Sequence, residues 1–376
     1  MKAWQVRLNP PVGGTDGLLR IAVKDAFDLA GEITTAGCVA VRDRAVPATT
    51  DAACLAGMRA TERVFIAGKT TLTELCLSPV GINDQFGTPV NPVDARRVPG
   101  GSSSGSAVAV AAGEADIGLG TDSGGSVRIP AACCGIVGLK TTWGRISTGG
   151  VWPLAPSLDV VGPLARDLAG IRAAMTLLEP GWTMQATPAR TVGRLRIDGV
   201  DPMVEEAIDA ALDVAGFTVR PVTLPGWADC WADQDAILLG ELWRAHSTLL
   251  DADDVTEAVN DSLRAGSRVT DEQLATAMSG RRRWQAEVTA AFGDVQLLAL
   301  PTLVGSPPLL TEIDGFPYTL LTAPFNLAGL PALSMPVPSP GFEVPIGLQL
   351  VGPMNGEGLL CATGLAVETA LAGYRP

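Results

Sequence analysis

Short apolar runs alternate with Ala-rich or amphipathic segments along most of this 376-residue chain. Apolar runs of strand length lie at the start of 18–31, at 62–70 and at 296–303. Helical patterns lie at 48–62, 102–114, 201–216, across 229–292 and at 356–373. This alternation indicates an α/β fold on a mixed sheet. No polar linker divides the chain, so we expect a single domain over 1–376.

Two of the predicted helices carry a start signal. Thr49 or Thr50 is placed to cap the helix at 48–62, and Asp201 to cap the helix at 201–216. Both residue types accept hydrogen bonds from the free N–H groups of a first helical turn. We therefore expect both helices to begin at these residues.

The charge and the cysteines limit the partners and the compartment. A net charge of −13 repels phosphate backbones, so no nucleic-acid partner is expected. The seven cysteines lack paired C-x-x-C spacing, and Cys133 and Cys134 are adjacent, which predicts reduced core residues of a cytoplasmic protein. No run of 18 apolar residues is present and the first residues resemble no signal peptide, so no membrane association is expected.

The chain contains a single histidine, His246. An H-E-x-x-H zinc site needs two histidines on one helix, so that site is excluded, and we expect neither a metal nor a cofactor. A Ser-His-Asp triad would have to use His246, which lies among Leu, Trp and Ala in a helical pattern. That environment favours a packed or surface helical residue.

Two Ser/Gly-rich stretches are candidates for serine chemistry: GGSSSGS at 100–106 and GTDSGGS at 120–126. The first could equally be a flexible linker or a helix cap, and the second a structural turn. Ser126, however, directly follows two glycines. Such a turn can direct several backbone N–H groups at one point, as an oxyanion hole requires.

A serine nucleophile needs a base, and lysine is the remaining candidate. Burial lowers the pKa of lysine because desolvation disfavours the ammonium form. The four lysines are Lys2, Lys24, Lys69 and Lys140. Lys24 and Lys69 each end a predicted strand, where a buried base would lie, and the residues alone do not separate the two.

The stretch from Pro99 to Ser147, PGGSSSGSAVAVAAG followed by GLGTDSGGSVRIPAACCGIVGLKTTWGRIS, resembles the signature of the amidase signature family. The likeness continues at 151–167, 322–336 and 345–353, and IAVKDAFDLAG at 21–31 is similar to the lysine motif of that family. The resemblance implies a twisted mixed sheet with helices on both faces. It also implies hydrolysis of amides through a Ser-cisSer-Lys triad and an acyl-enzyme.

Carried over residue by residue, the resemblance implies a role for nine positions. The nucleophile is Ser126, the relay is Ser102 beside a cis peptide, and the base is Lys24 rather than Lys69. The oxyanion hole falls on Ser123, Gly124 and Gly125. Residues expected to brace the site are Ser103, Asp122 and Arg128.

The resemblance extends to substrate class and assembly. Only about twenty residues precede Lys24, so the chain is similar to compact amidases that act on small non-peptide amides such as indole-3-acetamide. Urea- or carbamate-type substrates, and the glutamine-hydrolysing role within a tRNA-dependent amidotransferase, are alternatives. A small-molecule amide is the expected partner, and whether the chain forms a homodimer is left open.

The variable region 175–320 is expected to line the substrate pocket. Its tryptophans could contribute to that lining, although core packing is the favoured interpretation; they are Trp182, Trp227, Trp231, Trp243 and Trp284. Three consecutive arginines, Arg281, Arg282 and Arg283, could bind an acidic substrate. A solvated helix face is the favoured interpretation for them.

Overall fold

In the computed structural model, which describes residues 2–10, 14–339 and 341–373, 11 strands form one mixed sheet. The strands are β1 (Trp4–Arg7), β2 (Leu19–Lys24), β3 (Val64–Thr70), β4 (Ile117–Asp122), β5 (Val137–Lys140), β6 (Val160–Ala165), β7 (Thr191–Leu195), β8 (Thr218–Val222), β9 (Leu297–Pro301), β10 (Ala332–Val337) and β11 (Ile346–Val351). Their order across the sheet is β1-β3-β2-β4-β6-β5-β10-β11-β9-β7-β8.

Parallel and antiparallel pairs occupy different parts of this sheet. β2 runs parallel to both of its neighbours, β3 and β4. The pairs from β4 through β6, β5, β10 and β11 to β9 are antiparallel, and β9, β7 and β8 are parallel again. The predicted mixed α/β fold is confirmed.

The α-helices have the following bounds: α1 (Val39–Arg42), α2 (Ala56–Arg59), α3 (Ser104–Ala111), α4 (Arg128–Cys133), α5 (Leu168–Leu178), α6 (Pro202–Val214), α7 (Cys230–His246), α8 (Glu257–Ser267), α9 (Asp271–Ala290), α10 (Ala323–Ala328) and α11 (Glu357–Ala372). These helices cover both faces of the sheet, as the packing of alternate residues of β9 shows. Leu297 and Ala299 pack into one apolar cluster, whereas Leu298 and Leu300 pack into another. Alternate residues of a strand point to opposite faces, so both faces are buried.

One predicted helix is much shorter than its pattern indicated. The segment 48–62 contains only a 3-10 turn at Ala53–Leu55 and the four-residue α2, and neither Thr49 nor Thr50 caps it. The N–H groups of Ala52 and Ala53 instead donate to the carbonyl oxygens of Asp28 and Gly149. These long-range bonds hold the start of the segment outside a helix. By contrast, Asp201 caps α6 as predicted, accepting from the N–H of Met203.

The seven cysteines are all buried free thiols, in agreement with the prediction of reduced core residues. Within the described residues, none of the helices combines the length and the apolar character needed to cross a bilayer.

Candidate active site

Lys24 is the last residue of β2, and this strand lies between its two parallel neighbours, β3 and β4. Its side chain is 0% exposed. The amine Nζ lies 2.7 Å from Ser102 Oγ and 2.7 Å from Thr121 Oγ1. Both hydroxyls are neutral, so the described hydrogen bonds of Lys24 include no carboxylate to hold its proton.

Burial lowers the pKa of Lys24, and the nearby groups Cys76, Asp159 and Asp122 oppose only part of that shift. The neutral amine, the form in which lysine can accept a proton, is therefore favoured relative to an exposed lysine.

Lys69, the other lysine that ends an apolar run, has a different environment. Its Nζ lies 2.7 Å from Asp25 Oδ1, in an ion pair with both side chains buried. It also donates to the carbonyl oxygen of Ile33 at 2.7 Å and to Thr34 Oγ1 at 2.9 Å. A carboxylate and two hydrogen-bond acceptors around the amine suit the charge and the N–H donors of an ammonium group.

Ser102 precedes α3 and is reached by a cis peptide bond from Gly101, where the family resemblance implied one. The next residue connects this loop to the second Ser/Gly-rich stretch. Ser103 donates its N–H to the carbonyl oxygen of Ser126 at 3.2 Å and its hydroxyl to the carbonyl oxygen of Thr121 at 3.3 Å. The fold thus brings the two Ser/Gly-rich stretches into contact, although they are well separated along the chain.

Ser126 lies in the turn between β4 and α4 and is 8% exposed. Among the described residues its hydroxyl has no hydrogen-bond partner, so Oγ is free to react. Gly125 makes the turn close: its φ is +136°, and a Cβ there would lie 2.4 Å from Thr322 Oγ1. Only glycine fits this position without strain.

The turn is built around a buried ion pair between Asp122 and Arg128, 2.9 Å apart. Asp122 accepts from the backbone N–H groups of Gly125 at 2.8 Å and Val127 at 3.1 Å, and from Asn326 Nδ2 at 2.9 Å. Burial would raise the pKa of Asp122, but the charge and hydrogen bonds of Arg128 lower it well below its usual range. The carboxylate therefore persists and fixes the turn.

The peptide units of the turn differ in what their N–H groups do. Gly125 N–H is used by Asp122, so it is not free to act as the predicted oxyanion donor. The N–H groups of Ser123, Gly124 and Ser126 have no acceptor among the described residues. Ser123 donates its hydroxyl to Asp159 Oδ1 at 2.5 Å, which anchors the start of the turn.

The sequence profile described as Amidase matches residues 13–361. The chain belongs to the Amidase family. It is 33% identical to the glutamyl-tRNA(Gln) amidotransferase A subunit of Halobacterium salinarum, over 95% of this chain and 97% of that protein. It is 34% identical to the 2-amino-5-chloromuconic acid deaminase of Comamonas testosteroni, over 94% of this chain and 81% of that protein.

The fold of this Amidase family member is also that of solved relatives. The 6-aminohexanoate cyclic dimer hydrolase superposes with a TM-score of 0.84 at 27% identity, covering 95% of this chain and 86% of that one. The family and its structural neighbours hydrolyse amides. The chain is accordingly an amide hydrolase that acts on C–N bonds.

Several residues that contact the predicted site residues were not themselves predicted from the sequence. Thr121 contacts Lys24, and Asn326 contacts Asp122. Gln349 accepts from Arg128 Nη1 at 2.7 Å. All three lie in stretches that carry the family resemblance, which is the signal that could have identified them. Asp159 lies in such a stretch as well, whereas Gln234, whose Nε2 donates to the carbonyl oxygen of Ser123, does not.

The remaining predicted residues lie apart from this cluster or in the core. His246 ends α7, is buried, and stacks on Trp152 with 4.7 Å between ring centroids, which confirms a packed residue. Trp182, Trp227 and Trp284 are buried in the core, and Trp231 and Trp243 are half-buried.

The interpretation of the three consecutive arginines as a solvated face is wrong for one of them. Arg282 and Arg283 are exposed, but Arg281 is buried. Arg281 Nε donates to the carbonyl oxygen of Leu327 at 3.0 Å, and its guanidinium lies 5.1 Å from the ring centroid of Trp143. This packing removes it from solvent.

Lys140, at the end of β5, is also fully buried, and its Nζ donates to the carbonyl oxygen of Thr141 at 3.1 Å. Burial and the charge of Arg128 lower its pKa to about 7. Among the described residues, no group of three His, Cys, Asp or Glu side chains is arranged to hold a metal ion.

Proposed function

We propose that this amide hydrolase cleaves small non-peptide amides through an acyl-enzyme on Ser126, with Ser102 and Lys24 as proton relay and base. One observation carries the proposal: the buried amine of Lys24 contacts Ser102 Oγ at 2.7 Å and has neutral hydroxyls as its hydrogen-bond partners. A lysine in that environment can accept a proton, whereas Lys69 is paired with a carboxylate.

The reaction would proceed in two halves. Lys24 accepts the proton of Ser102 while Ser102 accepts that of Ser126, and Ser126 Oγ forms a bond to the carbonyl carbon of the amide. Collapse of the tetrahedral intermediate breaks the C–N bond, and the proton returns through Ser102 to the departing nitrogen. Water then attacks the acyl-enzyme through the same relay, which releases a carboxylic acid and restores Ser126.

The second link of the relay forms when substrate is bound. The Ser126 hydroxyl has no partner in the described chain, and catalytic hydrogen bonds often tighten only once substrate is present. Before substrate binds, the hydrogen bond from Ser103 N–H to the carbonyl oxygen of Ser126 holds the two loops together.

The oxyanion would be held by the N–H groups of Ser123, Gly124 and Ser126, whereas the sequence-based expectation was Ser123, Gly124 and Gly125. This choice rests on the hydrogen bond from Gly125 N–H to Asp122 Oδ1. In this scheme Ser103, Asp122 and Arg128 hold the turn and do not touch substrate.

The substrate class is proposed from the relatives and from the position of the variable region. The named relatives include a deaminase of 2-amino-5-chloromuconic acid and a hydrolase of a cyclic 6-aminohexanoate dimer, which are both small non-peptide compounds. The region 175–320 supplies Gln234 and Thr319 beside the Ser123–Ser126 turn, which supports its role in lining the pocket.

A second candidate function is glutamine hydrolysis as the A subunit of a tRNA-dependent amidotransferase. The 33% identity to the Halobacterium salinarum protein over 95% of this chain favours it. In that case glutamine would be the amide cleaved, and partner proteins would be needed for full activity.

A substrate panel tests the proposal. Purified wild-type protein and Ser126→Ala are assayed for ammonia release from an aliphatic amide, an aryl amide, a dicarboxylic monoamide, urea, a carbamate and glutamine. Turnover of a small amide that Ser126→Ala abolishes is the expected result. Turnover of glutamine alone would favour the second candidate, and turnover of urea or the carbamate alone would contradict an amide substrate.

A further inference from the structure

The turn that carries Ser126 contains three peptide units with the same arrangement. In each, the carbonyl oxygen is hydrogen-bonded and the N–H has no acceptor among the described residues. One of them joins Asp122 to Ser123, and its carbonyl accepts from Asn326 Nδ2 at 2.9 Å. The carbonyl of Gly125 accepts from Ile129 N–H at 2.7 Å, and the next N–H belongs to Ser126. The carbonyl of Ser123 accepts from Gln234 Nε2 at 3.3 Å, and the next N–H belongs to Gly124.

This arrangement fixes the direction of each free N–H. The C=O and N–H of a trans peptide unit point in opposite directions. A donor that holds the carbonyl therefore also directs the N–H of the same unit. The first turn of α4 supplies that donor for the Ser126 unit. For the Gly124 unit the donor comes from a side chain of α7, more than a hundred residues along the chain.

Gln234 has the burial that such a role needs. It is 2% exposed, so water does not compete for the carbonyl of Ser123. Only its Nε2 can donate to a carbonyl, which settles the orientation of the amide. The other amide atom, Oε1, is buried without a hydrogen-bond partner among the described residues.

An unpaired buried acceptor carries a desolvation cost, and this cost is comparable for Gln234 Oε1 and for an unpaired carbonyl of Ser123. Replacing Gln234 by an apolar residue removes the unpaired Oε1 and leaves the carbonyl of Ser123 unpaired. These two effects on the free energy of unfolding offset each other. The contribution of Gln234 to folding is thus small.

We infer that Gln234 is a positioning residue of the oxyanion hole, acting through the Ser123–Gly124 peptide unit. The inference rests on the proposed function, in which Gly124 N–H stabilises the oxyanion. It adds a residue from the variable region to the catalytic machinery, and it predicts that this residue affects the chemical step more than the binding of substrate.

The experiment measures the labelling of Ser126 by an alkyl fluorophosphonate, whose phosphoryl oxygen occupies the oxyanion hole as the serine attacks phosphorus and displaces fluoride. The variant is Gln234→Met, which keeps the length and volume and removes the donor. The matched control is Gln285→Met, since Gln285 Nε2 also donates at 3.3 Å to a backbone carbonyl, that of Ala328.

We expect the maximal labelling rate of Gln234→Met to fall by about 10- to 100-fold, at or below the effect of deleting an oxyanion donor outright. The half-saturating probe concentration and the melting temperature should stay close to those of the wild type, and Gln285→Met should label at the wild-type rate. A merely structural role would lower the melting temperature and leave the rate of the folded protein unchanged.

A wild-type labelling rate in folded Gln234→Met, or an equal loss in Gln285→Met, would overturn the inference. Failure of the proposed function gives a different result, because the wild-type protein itself would then not be labelled at Ser126.

Discussion

Lys24 Nζ and Ser102 Oγ lie 2.7 Å apart, and both side chains are completely buried. Lys69 ends the neighbouring apolar run with an equally buried amine, yet its nearest charge is the carboxylate of Asp25 at 2.7 Å. Two lysines that look alike in the sequence therefore have different surroundings. One is paired with a carboxylate, and the other contacts a serine.

Replacing Lys24 by Met should lower the amide turnover rate by roughly 10²- to 10⁴-fold, the range of general acid–base contributions. Met fills the buried volume without accepting a proton. The measurement is kcat on the best amide from the substrate panel. A turnover rate within a few-fold of the wild type at pH 7 would exclude Lys24 as the base.

The pH dependence offers an independent check on Lys24. A base acts in its deprotonated form, so kcat/KM should rise with pH and reach a plateau once the amine is neutral. Because burial lowers the pKa of Lys24, the plateau should begin below 10.5, the ordinary value for lysine. Lys24→Met should lose this rising limb, and a variant that kept it would assign the titration to another group.

Replacing Lys69 by Met should act on stability and not on chemistry. It leaves Asp25 buried without its ion-pair partner, and breaking a buried pair in this way costs about 3–5 kcal/mol. Urea unfolding measures the loss. The double variant Asp25→Asn/Lys69→Met should recover much of it, and its folded form should label at Ser126 within a few-fold of the wild-type rate.

Alanine substitutions at the adjacent residues Gly124 and Gly125 should have different effects on the turn. Gly125→Ala places a Cβ 2.4 Å from Thr322 Oγ1 and 2.6 Å from Ile129 Cδ1 at a φ of +136°, whereas a Cβ at Gly124 meets nothing closer than 3.9 Å. The backbone strain alone costs about 1–3 kcal/mol. Gly125→Ala should lower both the free energy of unfolding and the labelling rate, and Gly124→Ala should leave the free energy of unfolding nearly unchanged. Equal stability losses would contradict this description of the turn.

Lys140 predicts a pH dependence of stability. Its folded pKa of about 7 lies below the unfolded value of 10.5, so between these values the unfolded chain binds the extra proton and stability rises with pH. The free energy of unfolding of the wild type relative to Lys140→Met should rise above pH 7 by up to about 1.4 kcal/mol per pH unit. Urea unfolding at several pH values between about 6.5 and 9.5 measures this rise across the window between the folded and unfolded pKa. A difference that stays flat over that range would contradict a neutral buried Lys140.

The sequence predicted the parts of the fold that local pattern controls. The apolar run at 62–70 became β3, and the capped amphipathic segment at 201–216 became α6. The helix at 48–62 could not be predicted correctly, because the N–H groups at its start bond to Asp28 and Gly149, which only the fold brings close.

The same limit applies to the candidate site. Composition reduced the candidate bases to Lys24 and Lys69, but the ion pair that separates them joins Asp25 and Lys69, which lie far apart along the chain. Family resemblance supplied the assignment that the geometry of Lys24 then favoured. Gln234 and the burial of Arg281 depend on packing between distant elements, and no local pattern marks either residue.

Mapping the site of fluorophosphonate attachment shows directly whether Ser126 is the nucleophile. Wild-type protein and Ser126→Ala are treated with the probe, digested, and the modified peptide is sequenced by mass spectrometry. We expect one adduct, on Ser126, that is absent from Ser126→Ala and forms far more slowly in Lys24→Met. An adduct on a different residue, or undiminished labelling of Ser126→Ala, would contradict this assignment of the nucleophile.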